Sequence, residues 1–403
     1  MPKNRASSAP TEDQTGQQGM AANAAGGGGG TSTPSSGTLG TSNAPSAPST
    51  PVTTPITPGL AHRTRASDVF PADWTRLSDT RFRVTAHWPD DHPFFGPVDD
   101  RHQDPMIVGE TIRQTSMALA HAAFDVPADT HFVMWDLEVT TDPRALRRAD
   151  AAEPVTVDVV CSEIRRRGRG LSSMRTTMEF RRAGRLVARG TGSTGCTSPA
   201  AYRRLRGEQL AAREKPVPLL AAISPGEAGR THDQDVVLSP LDTPLDARLD
   251  TPRGAPLDER QPHPAAASHG GRPTTWLLRV NTAHPVLFPR PNDHVPGMVL
   301  FEAARQAATA ATGKRPFLPS DMSASFNRYA ELHSPCLIEA EVLDKGEDET
   351  TVRVHGHQDN QTVFTAVLTS GTSRLTDPSP GPDPSPGPGP GPGADPGARR
   401  QHP

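Results

Sequence analysis

The most apolar segment of the chain, MVLFEAARQAATAAT at 298–312, contains only two charged residues, Glu302 and Arg305. A segment that is apolar on nearly every side predicts a helix that is buried on most of its faces. The segment MIVGETIRQTSMALAHAAF at 106–124 has the same pattern with more hydroxyl groups. The chain is therefore expected to contain two domains, each built around one buried helix.

Strand patterns surround both helices. The predicted strands lie at 81–87, 131–140, 153–164 and 175–194 in the first unit, and at 274–283, 323–332, 336–345 and 350–370 in the second. Gly184 and Asn360 occupy turn positions where a positive φ is tolerated. The ranges 175–194 and 350–370 each contain two strands joined by a turn. Each unit is therefore predicted to consist of a strand, a loop, a helix and about four further strands. This order predicts an α+β fold in which a curved antiparallel sheet wraps a central helix.

Composition sets the limits of the two units. Residues 1–77 and 375–403 are rich in Gly, Pro, Ser and Thr, and are predicted to be disordered tails because they cannot bury enough apolar surface. Residues 207–272 repeat Leu-Asp and Pro without a sustained period and are interpreted as a Pro-rich linker. The folded domains are then 78–206 and 273–374.

Charge and cysteine content indicate which partners and which cellular compartment to expect. The net charge of −3 offers no overall basic field for nucleic acid. The cluster RRRGRG at 165–170 is local, and is either a solvated strand face or a docking site for an acidic protein. The three cysteines have no pairing spacing, which indicates a reducing compartment. Without an 18-residue apolar run or an apolar leader, the protein is expected to be cytoplasmic and not bound to a membrane.

The two helices belong to an internal repeat. HPFFGPVDDRHQDPMIVGETIRQ at 92–114 aligns without a gap with HPVLFPRPNDHVPGMVLFEAARQ at 284–306. The identical pairs include His92 and His284, Pro93 and Pro285, His102 and His294, Met106 and Met298, Glu110 and Glu302, Arg113 and Arg305, and Gln114 and Gln306. Core packing alone would not select so many polar identities, so the pattern indicates duplication. Two related domains packed as a pseudo-dimer are expected.

The motif PGMVLFEAARQ at 296–306 resembles the central helix of hot-dog dehydratases and thioesterases, and FNRYAELHSPC at 326–336 resembles the strand that follows it. The duplicated pattern H-P…H…E-x-x-R-Q is more specific. It resembles the A-factor biosynthesis family of γ-butyrolactone synthesis enzymes. The resemblance covers both folded units and implies two tandem hot-dog domains.

This resemblance implies a reaction and its partners. The family is expected to move a β-ketoacyl group from acyl carrier protein to the hydroxyl of dihydroxyacetone phosphate. The acyl group would arrive on the phosphopantetheine of the carrier, so no cofactor or metal of the protein's own is expected. Neither nucleic acid nor membrane is an expected partner, and a homo-oligomer is compatible with the sequence.

Acyl transfer to an alcohol needs a base, an oxyanion site and a grip on the phosphate. Glu302 and Glu110 are the candidate bases, with pKa values raised by burial, and His294 and His102 are candidates to orient them or share the proton. Backbone N–H groups near Gly297 and Gly109, at the helix starts, are candidates for the oxyanion site. The remaining candidates are Arg305, Arg113, Gln306 and Gln114, the arginines for phosphate and the glutamines for orienting the carboxylate or a carbonyl.

Several of these candidate residues also have a purely structural interpretation. The Glu302–Arg305 pair could be a buried ion pair that only fixes the helix, and Gln306 a satisfied core amide. His284 and His92, each followed by proline, are interpreted as turn residues. Three functions remain open: the β-ketoacyl transferase, a thioesterase or dehydratase on the same fold, and a non-catalytic binder of an acyl or lactone ligand. The dehydratase is disfavoured because Phe288 and Pro289 occupy the region of its upstream histidine.

Overall fold

The first unit is built from seven strands and one long helix. The computed structural model describes residues 52–99, 101–241, 273–346 and 348–375. The first-unit elements are β1 (Thr53–Pro55), β2 (Pro71–Arg76), β3 (Arg81–Ala86), α1 (Met106–Phe124), β4 (His131–Thr141), β5 (Val155–Arg167), β6 (Gly170–Arg182) and β7 (Arg185–Thr197). Short 3-10 helices lie at Ala66–Asp68, Pro143–Ala145 and Arg148–Asp150.

The second unit repeats this order after a connecting segment of short helices. The connecting elements are α2 (Pro199–Arg206), α3 (Pro225–Ala228) and the 3-10 helices Gly207–Glu214 and Asp233–Asp235. The second-unit elements are β8 (Leu238–Ser239), β9 (Thr274–Leu278), α4 (Gly297–Thr312), β10 (Asp321–Phe326), β11 (Leu337–Lys345), β12 (Thr350–Gln358) and β13 (Gln361–Ser370).

The strands of the described residues form one continuous antiparallel sheet. Its order is β1-β2-β3-β5-β6-β7-β4-β10-β13-β12-β11-β9-β8. Read outward from the centre, the order is the same in both halves except for β1, which extends the first half. At the centre β4 of the first unit pairs with β10 of the second, and Leu137 lies opposite Ala324. The predicted α+β fold and its arrangement as a pseudo-dimer of two repeats are confirmed.

Each long helix is enclosed by the strands of its own unit. Helix α1 contacts β2, β4, β6 and β7, and α4 contacts β8, β9, β11, β12 and β13. Glu302, Arg305 and Gln306 are buried together with the apolar residues of α4. The prediction of a helix buried on most of its sides is confirmed, and burial of its apolar groups supplies the main favourable contribution to folding.

Two glycines permit the close packing of α1. Gly109 lies in α1, where a Cβ atom would be 3.2 Å from a ring carbon of Phe301 on α4 and 3.3 Å from Leu137. Gly190 on β7 lies beneath Ile112, and a Cβ there would overlap the Ile112 side chain. Both positions therefore place the helix closer to its neighbours than any larger residue would allow.

Two predicted boundaries need correction. Residues 1–77 include β1 and β2, which extend the sheet beyond β3, so 52–77 is part of the first domain. Residues 207–241 of the predicted linker carry short helices and β8, and bury Ile223, Val236 and Val237. These segments show no sustained apolar period in the sequence, because each packs against an edge of the sheet that the rest of the fold forms. Residues 1–51, 242–272 and 376–403 lie outside the described residues.

Within the described ranges, none of the helices combines the length and the apolar character needed to cross a membrane.

The packing at Gly190 gives a stability prediction. In Gly190→Ala the new Cβ would lie 2.7 Å from the carbonyl oxygen of Glu138 and overlap the end of the Ile112 side chain, so both the β4 backbone and Ile112 must give way. We expect the free energy of unfolding to fall by about 1–3 kcal/mol in urea titrations followed by tryptophan fluorescence. Gly59→Ala is the control, because its nearest atom would be Thr57 Oγ1 at 3.9 Å. Equal stability of both variants would contradict the packing argument.

Candidate active site

The glutamate of α4 lies at the centre of a buried cluster. Glu302 accepts hydrogen bonds from Arg305 Nη2 at 2.6 Å and Nε at 2.9 Å, and from Gln306 Nε2 at 2.7 Å. A second arginine, Arg230, donates from Nε at 2.8 Å. The Glu302 side chain has no exposed surface. The pair Glu302–Arg305 is therefore a buried ion pair, which was one of the two interpretations that the sequence left open.

The glutamate of α1 has the same set of partners. Glu110 accepts from Arg113 Nη2 at 2.7 Å, from Gln114 Nε2 at 2.6 Å and from Arg63 Nε at 3.0 Å. Its side chain is also fully buried. The duplication has thus preserved a four-residue cluster in both units. In each cluster one arginine lies before the domain start that the sequence predicted.

The expectation that burial raises the pKa of these glutamates is wrong. Burial alone would raise the pKa of Glu302, but the charges of Arg230 and Arg305 outweigh it and bring the pKa down to about 2. Likewise, burial is outweighed at Glu110 by Arg113 and Arg63, and its pKa also falls to about 2. A carboxylate this acidic and without exposed surface is a poor general base near neutral pH.

The two glutamines hold the helices to the segments just before β2 and β8. Gln306 accepts from the backbone N–H of Val237 at 2.9 Å and donates to the Asp235 carbonyl at 2.8 Å. Gln114 makes the same pair of bonds with Phe70 and Asp68. Both orient their glutamate, as predicted, but both are fully buried and neither lines a cavity.

The sequence contains a second repeat that accounts for these segments. R-T-x3-D-V occurs at 63–69 and again at 230–236. The two copies lie 167 residues apart, whereas the helix repeat has an offset of 192, so an ungapped alignment misses them. A gapped search of the predicted tail and linker for this motif would have found Arg63 and Arg230.

The same arginines link the two units. Arg230 Nη1 donates to the carbonyl of Phe94 at 2.8 Å, in the loop of the first unit. Arg63 Nη1 donates to the carbonyl of Val286, in the matching loop of the second unit. Each cluster therefore braces its own helix and the loop of the opposite unit.

The histidines that precede proline are turn residues, as interpreted from sequence. His92 Nδ1 accepts from the backbone N–H groups of Phe94 and Phe95. His284 Nδ1 accepts in the same way from Val286 and Leu287, and its Nε2 lies 3.0 Å from Asp235. These contacts fix the loops that the two arginines hold.

A cavity of about 770 Å³ lies between α1, the start of β4, α2, and the loop that leads into α4. Arg113 and Met117 of α1 form one wall, and His294, Gly297 and Met298 form another. The apolar part of the lining includes Phe132, Met134, Leu210, Leu287, Leu300 and Phe326. The cavity therefore joins a polar region to an apolar one large enough for a substrate of substantial size.

His294 is paired with a carboxylate in this cavity. Its Nδ1 lies 3.0 Å from Asp293 Oδ1, and Asp293 also accepts from Tyr202 Oη at 2.8 Å and Arg206 Nε at 2.7 Å. Burial would raise the pKa of Asp293, but these three hydrogen bonds hold it well below its usual range. The ionised Asp293 favours the tautomer in which Nδ1–H donates a hydrogen bond to it, which leaves Nε2 with its lone pair free to accept a proton.

His102, the counterpart of His294, has a different setting. Its Nδ1 lies 2.9 Å from Asp99, and it does not line the cavity. Neither histidine forms a hydrogen bond with the glutamate it was predicted to orient, since the partners of both glutamates are arginines and glutamine. The proposed sharing of a proton between histidine and glutamate is therefore wrong.

The N-termini of the two long helices also differ. At α1, Asp104 Oδ1 accepts the N–H of Met106 at 2.9 Å. At α4 the corresponding position is Pro296, which has no side-chain acceptor, and no side chain caps the helix. The N–H groups of Gly297 and Met298 are thus available beside the cavity. Gly109 lies inside α1 against Phe301, so its predicted role in an oxyanion site is wrong.

One corner of the cavity is rich in positive charge. Arg290 Nη2 donates to His62 Nδ1 at 2.6 Å, His62 Nε2 lies 2.8 Å from His121 Nε2, and His121 Nδ1 bonds to the Val126 carbonyl. Burial and the charges of Arg290 and Arg113 lower the pKa of His62 to about 3. His62 is therefore neutral and can act as an acceptor for Arg290.

The arginines of this corner exceed its carboxylates. Arg63 and Arg113 both pair with Glu110, and Arg290 has no salt bridge within the described part of the chain. Burial lowers the pKa of Arg290, and the nearby charge of Arg113 lowers it further, as expected for cations held together. Such a corner suits an anionic group.

The predicted site residues thus fall into two groups. The cavity contains His294, Arg113 and Gly297. The others lie outside its lining and serve packing or bracing: Glu302, Glu110, His102, Arg305, Gln306, Gln114 and Gly109. Besides Arg63 and Arg230, the sequence analysis missed Asp293, Tyr202, Arg206, Arg290 and His62. Asp293 directly precedes His294 and was the easiest of these to predict.

The chain is similar to known proteins over most of its length. A family model described as the A-factor biosynthesis hotdog domain matches residues 45–198 and 264–373. A 2-oxo-3-(phosphooxy)propyl 3-oxoalkanoate synthase of Streptomyces coelicolor is 43% identical over 315 residues, covering 78% of this chain and 91% of the relative. The synthase of the same name from Streptomyces virginiae is 42% identical over 313 residues, covering 77% and 95%.

Among solved structures, the 12:0-ACP thioesterase from Umbellularia californica covers 72% of this chain and 93% of its own. The TM-score is 0.39 and the sequence identity is 13%.

The buried glutamates predict acid sensitivity. Each has an ordinary pKa of 4.5 and a folded pKa of about 2. Because the folded pKa is depressed, the stabilisation is complete above about pH 4.5 and is lost as the pH falls toward 2; each glutamate contributes roughly 3 kcal/mol. We expect the free energy of unfolding, from urea titrations, to fall steadily over this window.

Glu302→Gln tests the assignment of this acid sensitivity. The variant should be less stable at pH 7, because Arg230 and Arg305 lose their charge partner, and its stability should depend less steeply on pH below 4.5. The exposed Glu208→Gln is the matched control and should behave as the wild type. If Glu302→Gln kept the full acid slope, the acid sensitivity would originate elsewhere.

Proposed function

The chain belongs to the A-factor biosynthesis hotdog family, and on this premise we propose that it is an acyltransferase that moves a β-ketoacyl group from acyl carrier protein to the hydroxyl of dihydroxyacetone phosphate. The named activity of the relatives supports a phosphorylated ester as the product. The observation that carries the assignment to this chain is the cavity, which joins a histidine paired with a carboxylate, an open helix N-terminus and a cationic corner.

His294 is the proposed general base. Its Nε2 removes the proton from the acceptor hydroxyl as the oxygen attacks the thioester carbonyl carbon. The ionised Asp293 stabilises the imidazolium that forms. When the tetrahedral intermediate collapses, the carbon–sulfur bond breaks and His294 returns the proton to the departing thiolate. The products are the ester and the free thiol of the carrier, and the protein ends in its starting state.

The start of α4 is the proposed oxyanion site. The N–H groups of Gly297 and Met298 have no side-chain cap and lie at the positive end of the helix dipole. Both residues line the cavity that contains His294. Donors fixed in this way stabilise the negative charge that develops on the carbonyl oxygen during attack.

The cationic corner is the proposed phosphate site. Arg113 and Arg290 line the cavity, and the neutral His62 holds Arg290 through a hydrogen bond at 2.6 Å. A phosphate would supply the anionic partner that Arg290 lacks in the described structure. The apolar residues of the cavity would take the acyl chain, which arrives on phosphopantetheine, so the scheme requires no cofactor held by the protein.

The setting proposed for this reaction is the cytoplasm, where carrier-bound acyl chains are used. A thioesterase activity on the same cavity remains the second candidate, because water in place of the acceptor alcohol would be activated by the same His294–Asp293 pair.

A product assay tests the function and the identity of the active half. The wild-type protein, a 3-oxoacyl carrier protein and dihydroxyacetone phosphate should give a phosphorylated ester detected by mass spectrometry. His294→Asn should lower kcat by about 10²–10⁴-fold, since it removes the base. His102→Asn, the equivalent change in the other unit, should keep the wild-type rate. Release of free 3-oxo acid alone would favour the thioesterase, and equal losses in both variants would contradict the assignment of the site.

Arg290→Ala tests the phosphate site. We expect the KM for dihydroxyacetone phosphate to rise by about 10–100-fold, the cost of losing a hydrogen bond to a charged group. The low rate with unphosphorylated dihydroxyacetone should not change, because that acceptor carries no phosphate. Arg315→Ala, an exposed arginine outside the cavity lining, is the control. A similar loss with both acceptors would place Arg290 in a role other than phosphate binding.

A further inference from the structure

The hairpin between β5 and β6 carries a strongly basic tip. Arg165, Arg166, Arg167 and Arg169 are all exposed, against one exposed acid, Glu163. None of these arginines forms a salt bridge within the described residues, and Arg166 bonds only to the carbonyl of Arg169. The whole chain has a net charge of −3, so this tip is a local excess and not part of a general field.

The strand register places the tip beside the mouth of the cavity. His131, at the start of β4, pairs with Thr197 at the end of β7, and both residues line the cavity. Gly195 of β7 pairs with Ser173 of β6, so the tip lies at the same end of the sheet and two to three strands away. Neighbouring strands are about 4.8 Å apart, which separates the tip from His131 by roughly 10–15 Å.

An exposed apolar surface lies between the tip and the cavity. Trp135 lines the cavity and is 46% exposed, and a Cβ on Gly195 would lie 2.7 Å from its ring. The indole therefore lies across β7 toward the hairpin. Leu205 of α2 also lines the cavity and is 64% exposed. Large apolar side chains left open at a cavity mouth mark a surface that a partner covers.

Further arginines lie on the α2 side of the mouth. Arg203 and Arg204 are exposed on α2, next to Tyr202 and Leu205, which line the cavity. Exposed Arg213 also lines the cavity and lies 4.0 Å from the carboxylate of Glu214. The acids of this region are Asp129, Glu208 and Glu214. The mouth therefore has an apolar centre with arginines on two sides.

We propose that this face, consisting of the β5–β6 hairpin tip, Trp135, Leu205 and the exposed arginines of α2, is the docking surface for the acidic carrier protein that delivers the thioester. The inference rests on the proposed function, since it supplies the surface that a carrier-bound substrate requires. An acidic partner complements the arginines, and its contacts with Trp135 and Leu205 place the tethered acyl group at the cavity mouth. The arginines steer the encounter, and the apolar centre holds the complex.

Charge reversal at the tip tests the surface. Arg167→Glu combined with Arg169→Glu should lower kcat/KM for a 3-oxoacyl carrier protein by about 10–100-fold, because an attractive encounter becomes repulsive. The rate with the same acyl group on pantetheine alone should not change, since that donor has no protein surface. With dihydroxyacetone phosphate kept saturating, raising the salt concentration should weaken the wild-type reaction with the carrier more than the reaction with pantetheine.

Controls separate docking from folding and from the reaction itself. Arg101→Glu combined with Arg147→Glu reverses two exposed arginines at the opposite end of the sheet and should affect neither donor. Titration of the acyl-free carrier protein measures binding without turnover and should show a weaker complex only for the tip variant. Equal loss on both donors, or no loss on either, overturns the docking surface. Failure of the wild type with both donors, while the tip variant still binds the carrier more weakly, would reject the proposed reaction and support the surface.

Discussion

The fold depends on keeping two carboxylates ionised inside it. A buried carboxylate is strongly unfavourable unless charges and hydrogen bonds compensate it. At Glu302 the compensation comes from Arg305, Gln306 and Arg230, and only the first two lie on the same helix. The third precedes the domain and also holds the Phe94 loop of the other unit. The ion pair therefore ties the helix, its leading segment and the opposite half together, and the segments around Arg63 and Arg230 are folded because this compensation requires them.

Both glutamate clusters brace the fold. The two halves therefore differ in function at the N-termini of α1 and α4 and in the loops that precede these helices. In the first half Asp104 caps α1, and His102 pairs with Asp99 away from the cavity. In the second half Pro296 leaves α4 open, and His294 pairs with Asp293 at the cavity wall. Duplication preserved the brace in both copies, while the loops diverged. The proposed reaction uses the second copy's loop and the first copy's Arg113, so a single site needs both halves.

The sequence predicted most of the fold but missed the strands β1, β2 and β8, and it predicted only part of the site. The apolar pattern around Glu302 and the repeat H-P…E-x-x-R-Q predicted both helices, their sheets and their pairing, because burial and periodicity are local properties. The pKa of Glu302 was predicted in the wrong direction, since it depends on Arg230, 72 residues away. Tyr202 and Arg206 were missed because they contact Asp293 only through the packing of α2 against the loop before α4. Such contacts between distant segments leave no periodic trace in a single sequence.

The central claim is that the buried glutamates brace the molecule and that His294 and the cationic corner meet the substrates. A crystal structure with dihydroxyacetone phosphate and an unreactive amide analogue of a 3-oxoacyl pantetheine would test it most directly. The account predicts the phosphate against Arg113 and Arg290, the acceptor hydroxyl about 3 Å from His294 Nε2, and the Glu302–Arg305 pair unchanged. Ligands bound beside His102, or a Glu302 carboxylate released from Arg305 and in contact with the acceptor hydroxyl, would contradict it.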